Sequence, residues 1–235
     1  MSSKTEVQRI ITSPEEEEMQ LELERIYAVR FRGLEEYRDR IWRVLVTNFF
    51  SKWINPEDSI LDVGCGYGEF INNIAAREKF AMDLNPSAKE HLGPGIQLIE
   101  QDCSKPWPLR DNQVDVVFTS NFFEHLPSKR TLQDTLHQAH RCLRPGGRLI
   151  TLGPNVKHLS GSYWDFFDHH LPLTELSLSE AMIMAGFRIE RSIEKFLPYS
   201  MSQGFRPPVW ALQVYLKLPW MWKIFGRQFL VIGRK

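Results

Sequence analysis

The stretch ILDVGCGYGEF, residues 60–70, sets glycines at alternate positions 64, 66 and 68 directly behind a short apolar run. Glycine tolerates positive φ and lets other groups approach the backbone closely, so this spacing reads as a tight turn between a buried strand and a helix. Such a turn presents backbone N–H groups to a nucleotide-like ligand. The spacing Gly64-x-Gly66-x-Gly68 is not the G-x-G-x-x-G that cradles a pyrophosphate, and no P-loop lysine follows it. An acidic residue, Asp83, ends the next apolar run, where a carboxylate can accept from both hydroxyls of an adenosine ribose.

Strands and helices alternate from there. SILDV, KFAMD, IQLIEQD, VDVVFTS and RLITLG read as strands, with GEFINNIAAR a helix after the first. KRTLQDTLHQAHRCLRPGG carries Leu132, Leu136, Ala139 and Leu143 on one helical face, with Pro145-Gly146-Gly147 as its stop. LTELSLSEAMIMAG is a helix stopped by Gly186, FRIERSIEKF a strand, and QFLVIGRK the last strand. This alternation argues an α/β fold, a mostly parallel sheet covered on both faces. Ahead of it, Ser13 and Pro14 suit a helix start, and Glu15 to Glu17 complement the positive end of the dipole as a solvated first turn. Apolar residues at helical spacing then run from Leu23 to Trp53. Residues 1–55 are therefore expected to form a helical cap on a domain spanning 56–235.

The chain has 235 residues, with 29 basic and 29 acidic side chains in balance. No overall field draws it to nucleic acid or to an acidic membrane, and no basic stripe with interleaved aromatics suggests an RNA partner. Cys65, Cys103 and Cys142 lack metal spacing and are odd in number, which suits a reducing compartment. The expected location is cytoplasmic, either free or peripheral to the inner membrane face.

Five stretches in order resemble the class I S-adenosylmethionine-dependent methyltransferases: LDVGCGYG, AMDLN, EQDCSKPWPL, VDVVFTSNFFEHL and LRPGGRLI, spanning roughly Ile60 to Gly153. The resemblance implies a doubly wound, Rossmann-like seven-stranded sheet with a final antiparallel strand. N-terminal helices would precede it, and an aromatic insertion would come before the last strand. It implies S-adenosylmethionine as cofactor. Gly64, Cys65, Gly66 and Gly68 would shape the loop around the methionine part, with Asp62 ordering the loop. Asp83 would hold the ribose, with Leu84 beside the adenine. Asp102 would accept from the adenine amino group, and the backbone of Cys103 would support the ring. Ser120 and Asn121 would floor the space below the sulfonium. Tyr27 or Arg30 would reach the cofactor carboxylate.

A hydroxyl acceptor needs a group to take its proton. NFFEHLP offers Glu124 and His125 just past the fourth strand, and YWDFFDHHLPLTE offers Asp165, Asp168, His169 and His170 after the fifth. His125 is the first candidate base and His169 the second, with Asp168 beside them. A Glu-His pair at a helix start can equally be a cap. The Glu-x-x-Glu-His metal motif of ubiquinone-pathway and small-RNA 3′-end O-methyltransferases is broken by Asn121, a poorer ligand for a hard cation, so no metal is expected.

The segment RPPVWALQVYLKLPWMWKIFGRQ crowds aromatics among lysines and arginines. It reads as a cover helix burying them, as a bilayer-facing or lipid-recognising surface through 207–225, or as a dimer contact. FLPYS, residues 196–200, is expected in the acceptor cavity. This half resembles bacterial methyltransferases associated with surface-glycan and lipid-linked sugar assembly. The expected activity is methyl transfer to a hydroxyl oxygen of a small-molecule, glycan or lipid-linked acceptor. The alternatives are a non-catalytic S-adenosylmethionine-binding partner subunit and a metal-assisted O-methyltransferase.

Overall fold

The computed structural model describes residues 25–26, 33–199 and 207–235. Most of the helix expected from Ser13, with Tyr27 and Arg30, and the end of the FLPYS stretch at Ser200 lie outside the described residues.

Seven strands form one sheet in the order β3-β2-β1-β4-β5-β7-β6. They are β1 (Ser59–Val63), β2 (Glu78–Asp83), β3 (Ile96–Glu100), β4 (Val114–Ser120), β5 (Leu143–Pro154), β6 (Arg188–Ile193) and β7 (Gln228–Arg234). β1 through β5 pair in parallel, whereas β7 runs antiparallel to both β5 and β6. The helices are α1 (Glu35–Asn48), α2 (Glu69–Asn73), α3 (Ala88–His91), α4 (Lys129–Cys142), α5 (Val156–Leu159), α6 (Glu175–Met184), α7 (Val209–Lys217) and α8 (Pro219–Phe225).

The strand residues explain why both sheet faces are covered. Successive side chains of a strand point to opposite faces. In β1, Ile60 joins one buried cluster while Leu61 and Val63 join the other. In β4, Val116 and Phe118 belong to the first cluster and Val117 to the second, which Val114 also joins across an irregularity between it and Val116. The first cluster is closed by Trp42, Val44, Leu45 and Val46 of α1 and by Tyr215, Leu216 and Trp222 of α7 and α8. The second is closed by Leu132, Leu136 and Ala139 of α4 and by Leu178 and Met182 of α6. Helix α1 thus packs directly on the sheet, with the Trp42 ring edge-on to Phe118 at 5.9 Å.

Caps fix the helix starts. The Ser128 hydroxyl accepts from the Thr131 N–H at the head of α4, and Thr174 and Ser177 form a reciprocal capping box at the head of α6. Gly186, at φ +99°, ends the turn after α6 as expected.

Two boundaries differ from the sequence reading. Helix α4 stops at Cys142, and Leu143 is already extended, so Pro145-Gly146-Gly147 lies inside β5 rather than capping a helix. The residue before a proline is driven out of helical geometry. The three are absorbed by an irregularity in which Val114 pairs with Leu143 and Val116 with Arg148. Helix α2 is only five residues long, because Ile74 turns extended (ψ 136°) and drops into the core. The Asn73 side chain also donates to Glu69 O and to Asp39 Oδ1, competing with further helical bonding.

The order 3-2-1-4-5 reverses direction between β1 and β4. The crevice beyond the carboxyl ends of those strands is where an open α/β sheet holds its ligand.

Candidate active site

The glycine loop leaves β1 at that crevice. Gly64, Gly66 and Gly68 all have positive φ (68°, 55° and 73°), which side-chain-bearing residues rarely adopt. The loop is pinned to the end of β2. Gly64 and Cys65 N–H both donate to Met82 O (2.8 and 3.1 Å), and Gly66 N–H donates to Asp83 Oδ2 (2.7 Å). Asp83 Oδ1 accepts from Asn85 N–H at 2.9 Å. Asp83 therefore ties the glycine loop to the turn that follows β2. Phe122, just past β4, closes the other side: a Cβ on Gly64 would stand 2.3 Å from its ring.

The surroundings are acidic. Burial raises the Asp83 carboxyl above its ordinary range against the pull of the Asn85 and Gly66 amides. Asp62, at the end of β1, is pushed well up by its own burial and by the neighbouring Glu69 and Asp83 charges, while the Ile71 amide works in the opposite sense. Arg38 of α1 pairs with Glu69, both side chains nearly buried. The loop carries no lysine to pair with a pyrophosphate. Two buried polar atoms at this edge, Asn121 Oδ1 and Asn85 Nδ2, lack a hydrogen-bond partner among the described residues. Buried polar groups are nearly always paired, so both suit a ligand with its own donors and acceptors. Asn121 holds the left-handed conformation (φ 49°), with its amide donating to Leu152 O and its side-chain nitrogen to Ser120 Oγ.

Farther along the edge, Leu84 is half-buried beside Asp83. Asp102 Oδ1 accepts from both the amide and the hydroxyl of Ser104. Cys103 is buried, its carbonyl accepting from Trp107 Nε1 and its thiol pushed up to about 12, chiefly by burial. Cys65 is likewise buried, with its thiol held well above the ordinary range by burial and nearby carboxylates. Burial thus favours the neutral thiol, the poorer nucleophile, at both positions.

The proton-handling residues come together. The turn Phe123–His125 after β4 meets the segment after α5, where Glu124 O accepts from the amides of His170 and Leu171. His125 Nδ1 lies 3.1 Å from Asp168 Oδ2 and 3.0 Å from Asp168 O, so two oxygens assign the proton to Nδ1. Burial pulls His125 down, but the Asp168 and Glu124 carboxylates leave it raised above the ordinary histidine value. His169 is buried between Tyr163 and Phe166, and its Nδ1 faces Tyr163 O at 2.8 Å. The two imidazoles lie 4.9 Å apart. One ligating atom each of Glu124, His125 and His169 lies within 4.8 Å of the others.

Asp165 and His170, considered with this cluster from sequence, are exposed outside it. FLPYS is also split. Phe196 is fully buried in the core against Phe49 and Trp222, whereas the Tyr199 ring lies 6.0 Å from Phe166 beside the site. The sequence reading missed Phe122, Asn85 and Arg38. Phe122 and Asn85 sit inside the quoted motifs NFFEHLP and AMDLN, beside residues that drew the attention.

Residues 61–151 match the family described as methyltransferase domain. A probable methyltransferase of Aspergillus luteorubrus is 29% identical over 129 residues, 47% of this chain and 45% of that protein. An uncharacterized methyltransferase of Mycobacterium sp. (strain JLS) is 32% identical over 112 residues, 44% of this chain and 43% of that protein. The chain thus spans about half the length of the curated relatives it matches. Among solved structures, a SAM dependent methyltransferase from Archaeoglobus fulgidus superposes with a TM-score of 0.60 at 19% identity, covering 89% of this chain and 98% of its own. One from Thermotoga maritima gives 0.63 at 17% identity, covering 93% and 97%. At such identities these structures carry the fold.

Proposed function

We propose that this chain, a class I S-adenosylmethionine-dependent methyltransferase by its domain at residues 61–151 and its fold, methylates a hydroxyl oxygen of a small-molecule, glycan or lipid-linked acceptor. When bound, S-adenosylmethionine supplies a methyl group already activated by the positive charge on sulfur. Asp62, Gly64, Cys65, Gly66 and Gly68 would enclose its methionine part, and Asp83 would take the ribose. Leu84, Asp102 and Cys103 would take the adenine, and Ser120 and Asn121 would form the floor. Residues 1–55 would act as the helical cap of this domain.

The chain's own chemistry is proton transfer and positioning. His125 Nε2 would accept the acceptor's hydroxyl proton while Asp168, at Nδ1, holds the tautomer and stabilises the imidazolium. His169, fixed by Tyr163 O, would orient the acceptor or relay the proton. The observation that carries this reading is the His125–Asp168 pair just past β4, at the edge of the sheet that carries the glycine loop. The test uses isotopically labelled cofactor against soluble sugars and lipid extracts. With an acceptor that wild type methylates, His125→Ala should retain S-adenosylhomocysteine binding while transfer falls on the order of 10²–10⁴-fold. A variant with undiminished transfer removes His125 from the chemistry. A wild-type protein that binds cofactor but methylates nothing in either pool favours a non-catalytic partner subunit.

One observation favours a second reading. Glu124, His125 and His169 can converge on an ion, with Nδ1 of each histidine engaged by a protein oxygen, the arrangement that presents Nε2 to a metal. Loss of transfer on chelation, restored by one divalent cation, would move the role of His125 from base to ligand.

A further inference from the structure

Helices α7 and α8 each have two unlike faces. Tyr215, Leu216 and Trp222 turn inward: the Tyr215 hydroxyl donates to Phe196 O (2.6 Å), and Trp222 Nε1 donates to Tyr215 O (2.9 Å). Turned outward are Trp210 and Val214 on α7 and Trp220, Ile224 and Phe225 on α8, each between 45% and 65% exposed. Pairs at i and i+4 lie on one helix face, so Trp210 with Val214 and Trp220 with Ile224 form apolar stripes. Solvent-exposed aromatics grouped this way mark an interaction surface.

Charge decides what covers it. Residues 207–227 contain Lys217, Lys223 and Arg227 and no aspartate or glutamate, in a chain whose charges otherwise balance. Lys195 adds a further cation, its Nζ donating to Lys223 O. Tryptophan and phenylalanine interleaved with lysine on short helices match an anionic lipid surface, where rings enter the headgroup boundary and ammonium groups meet phosphate. The register fixes where this surface hangs. Gln228, three residues past the end of α8, pairs with Pro154, and Asn155 N–H donates to Arg227 O, so the helix pair joins the sheet at the carboxyl end of β5. That is the edge carrying the glycine loop and the histidines.

We infer that α7 and α8 dock this protein on an anionic bilayer and present the crevice to an acceptor carried in that bilayer. The inference deepens the methyltransferase reading, but its test does not use the reaction. Vesicles of phosphatidylcholine with and without phosphatidylglycerol are sedimented with the full chain and watched by tryptophan fluorescence. Wild type should bind the anionic vesicles and lose binding as salt rises. Lys217→Glu with Lys223→Glu should weaken partition by at least about fivefold per lysine. Trp210→Ser, Trp220→Ser and Phe225→Ser together should abolish binding with unfolding temperature and S-adenosylhomocysteine affinity kept. No wild-type binding to anionic vesicles, equal binding by the variants, or a solution dimer that the serine variant dissociates would each overturn the inference. None of these outcomes touches methyl transfer to a soluble acceptor, so failure here is distinct from failure of the catalytic reading.

Discussion

Gly64→Ala tests whether the loop is built as described. Two separate costs apply. At φ +68° a residue with a Cβ sits in the left-handed region, a cost of about 1–2 kcal/mol. The new methyl would also stand 2.3 Å from two atoms of the Phe122 ring and 2.8 Å from its Cβ, so ring or backbone must move. Overpacking of this kind costs about 1–3 kcal/mol. Together they predict a loss of about 2–5 kcal/mol, or about 4–20 °C in unfolding temperature for a chain of this size. Phe122→Ala separates the costs. In that background the ring clash is gone and Gly64→Ala keeps the backbone part and the 2.8 Å contact with the Cβ at position 122, giving a coupling of up to about 1–3 kcal/mol in a double-mutant cycle. Thermal and urea unfolding of the four proteins supply the numbers. A Gly64→Ala variant as stable as wild type, or costs that simply add, would refute the packing of Phe122 on the loop.

Transfer should rise with pH along a limb set above the ordinary histidine range, because a base must be neutral and His125 is raised. Asp168→Asn removes a raising partner and should move that limb to lower pH. An unmoved limb contradicts the assignment. For stability the sign reverses: a raised folded value gives the His125–Asp168 pair its full contribution below the unfolded value of about 6.5, lost as pH climbs through the folded value. Asp168→Asn should therefore cost more stability in mild acid than at alkaline pH, as urea unfolding at the two pH values would show. Arg38→Ala strands the nearly buried Glu69 and should cost about 3–5 kcal/mol, whereas Arg43→Ala, which breaks an exposed pair with Asp39, should cost under about 1 kcal/mol.

Much of the sheet was legible because its strands are apolar on both faces. SILDV and VDVVFTS announce burial without reference to a partner, and three glycines in a row of five announce a turn. The ends of elements were harder. Pro145-Gly146-Gly147 is as good a helix stop as any, and only the pairing of β5 with β4 shows it inside a strand. The reading of GEFINNIAAR as one helix failed because Asn73 and Ile74 answer to Asp39 and to the core, contacts that periodicity does not encode. In the site, type and order pointed to His125, His169 and Asp168, while the contact that joins Asp168 to His125 came only with the fold. Asp165 lies three residues before Asp168, and only Asp168 turns to His125. Phe196 looked like a cavity residue and is core, since its apolar character suits both places equally. Of the readings open to the aromatic segment, the structure shows the cover in Trp222, and it leaves Trp220 facing solvent.

The central claim is that the left-handed glycine loop and Asp83 cradle an adenosine joined to a cationic sulfur. Calorimetric titration with S-adenosylhomocysteine tests it most directly. A saturable 1:1 heat for wild type, lost in Asp83→Ala, is the predicted result. No heat for wild type, an Asp83→Ala protein that binds equally well, or displacement by a dinucleotide pyrophosphate would contradict it.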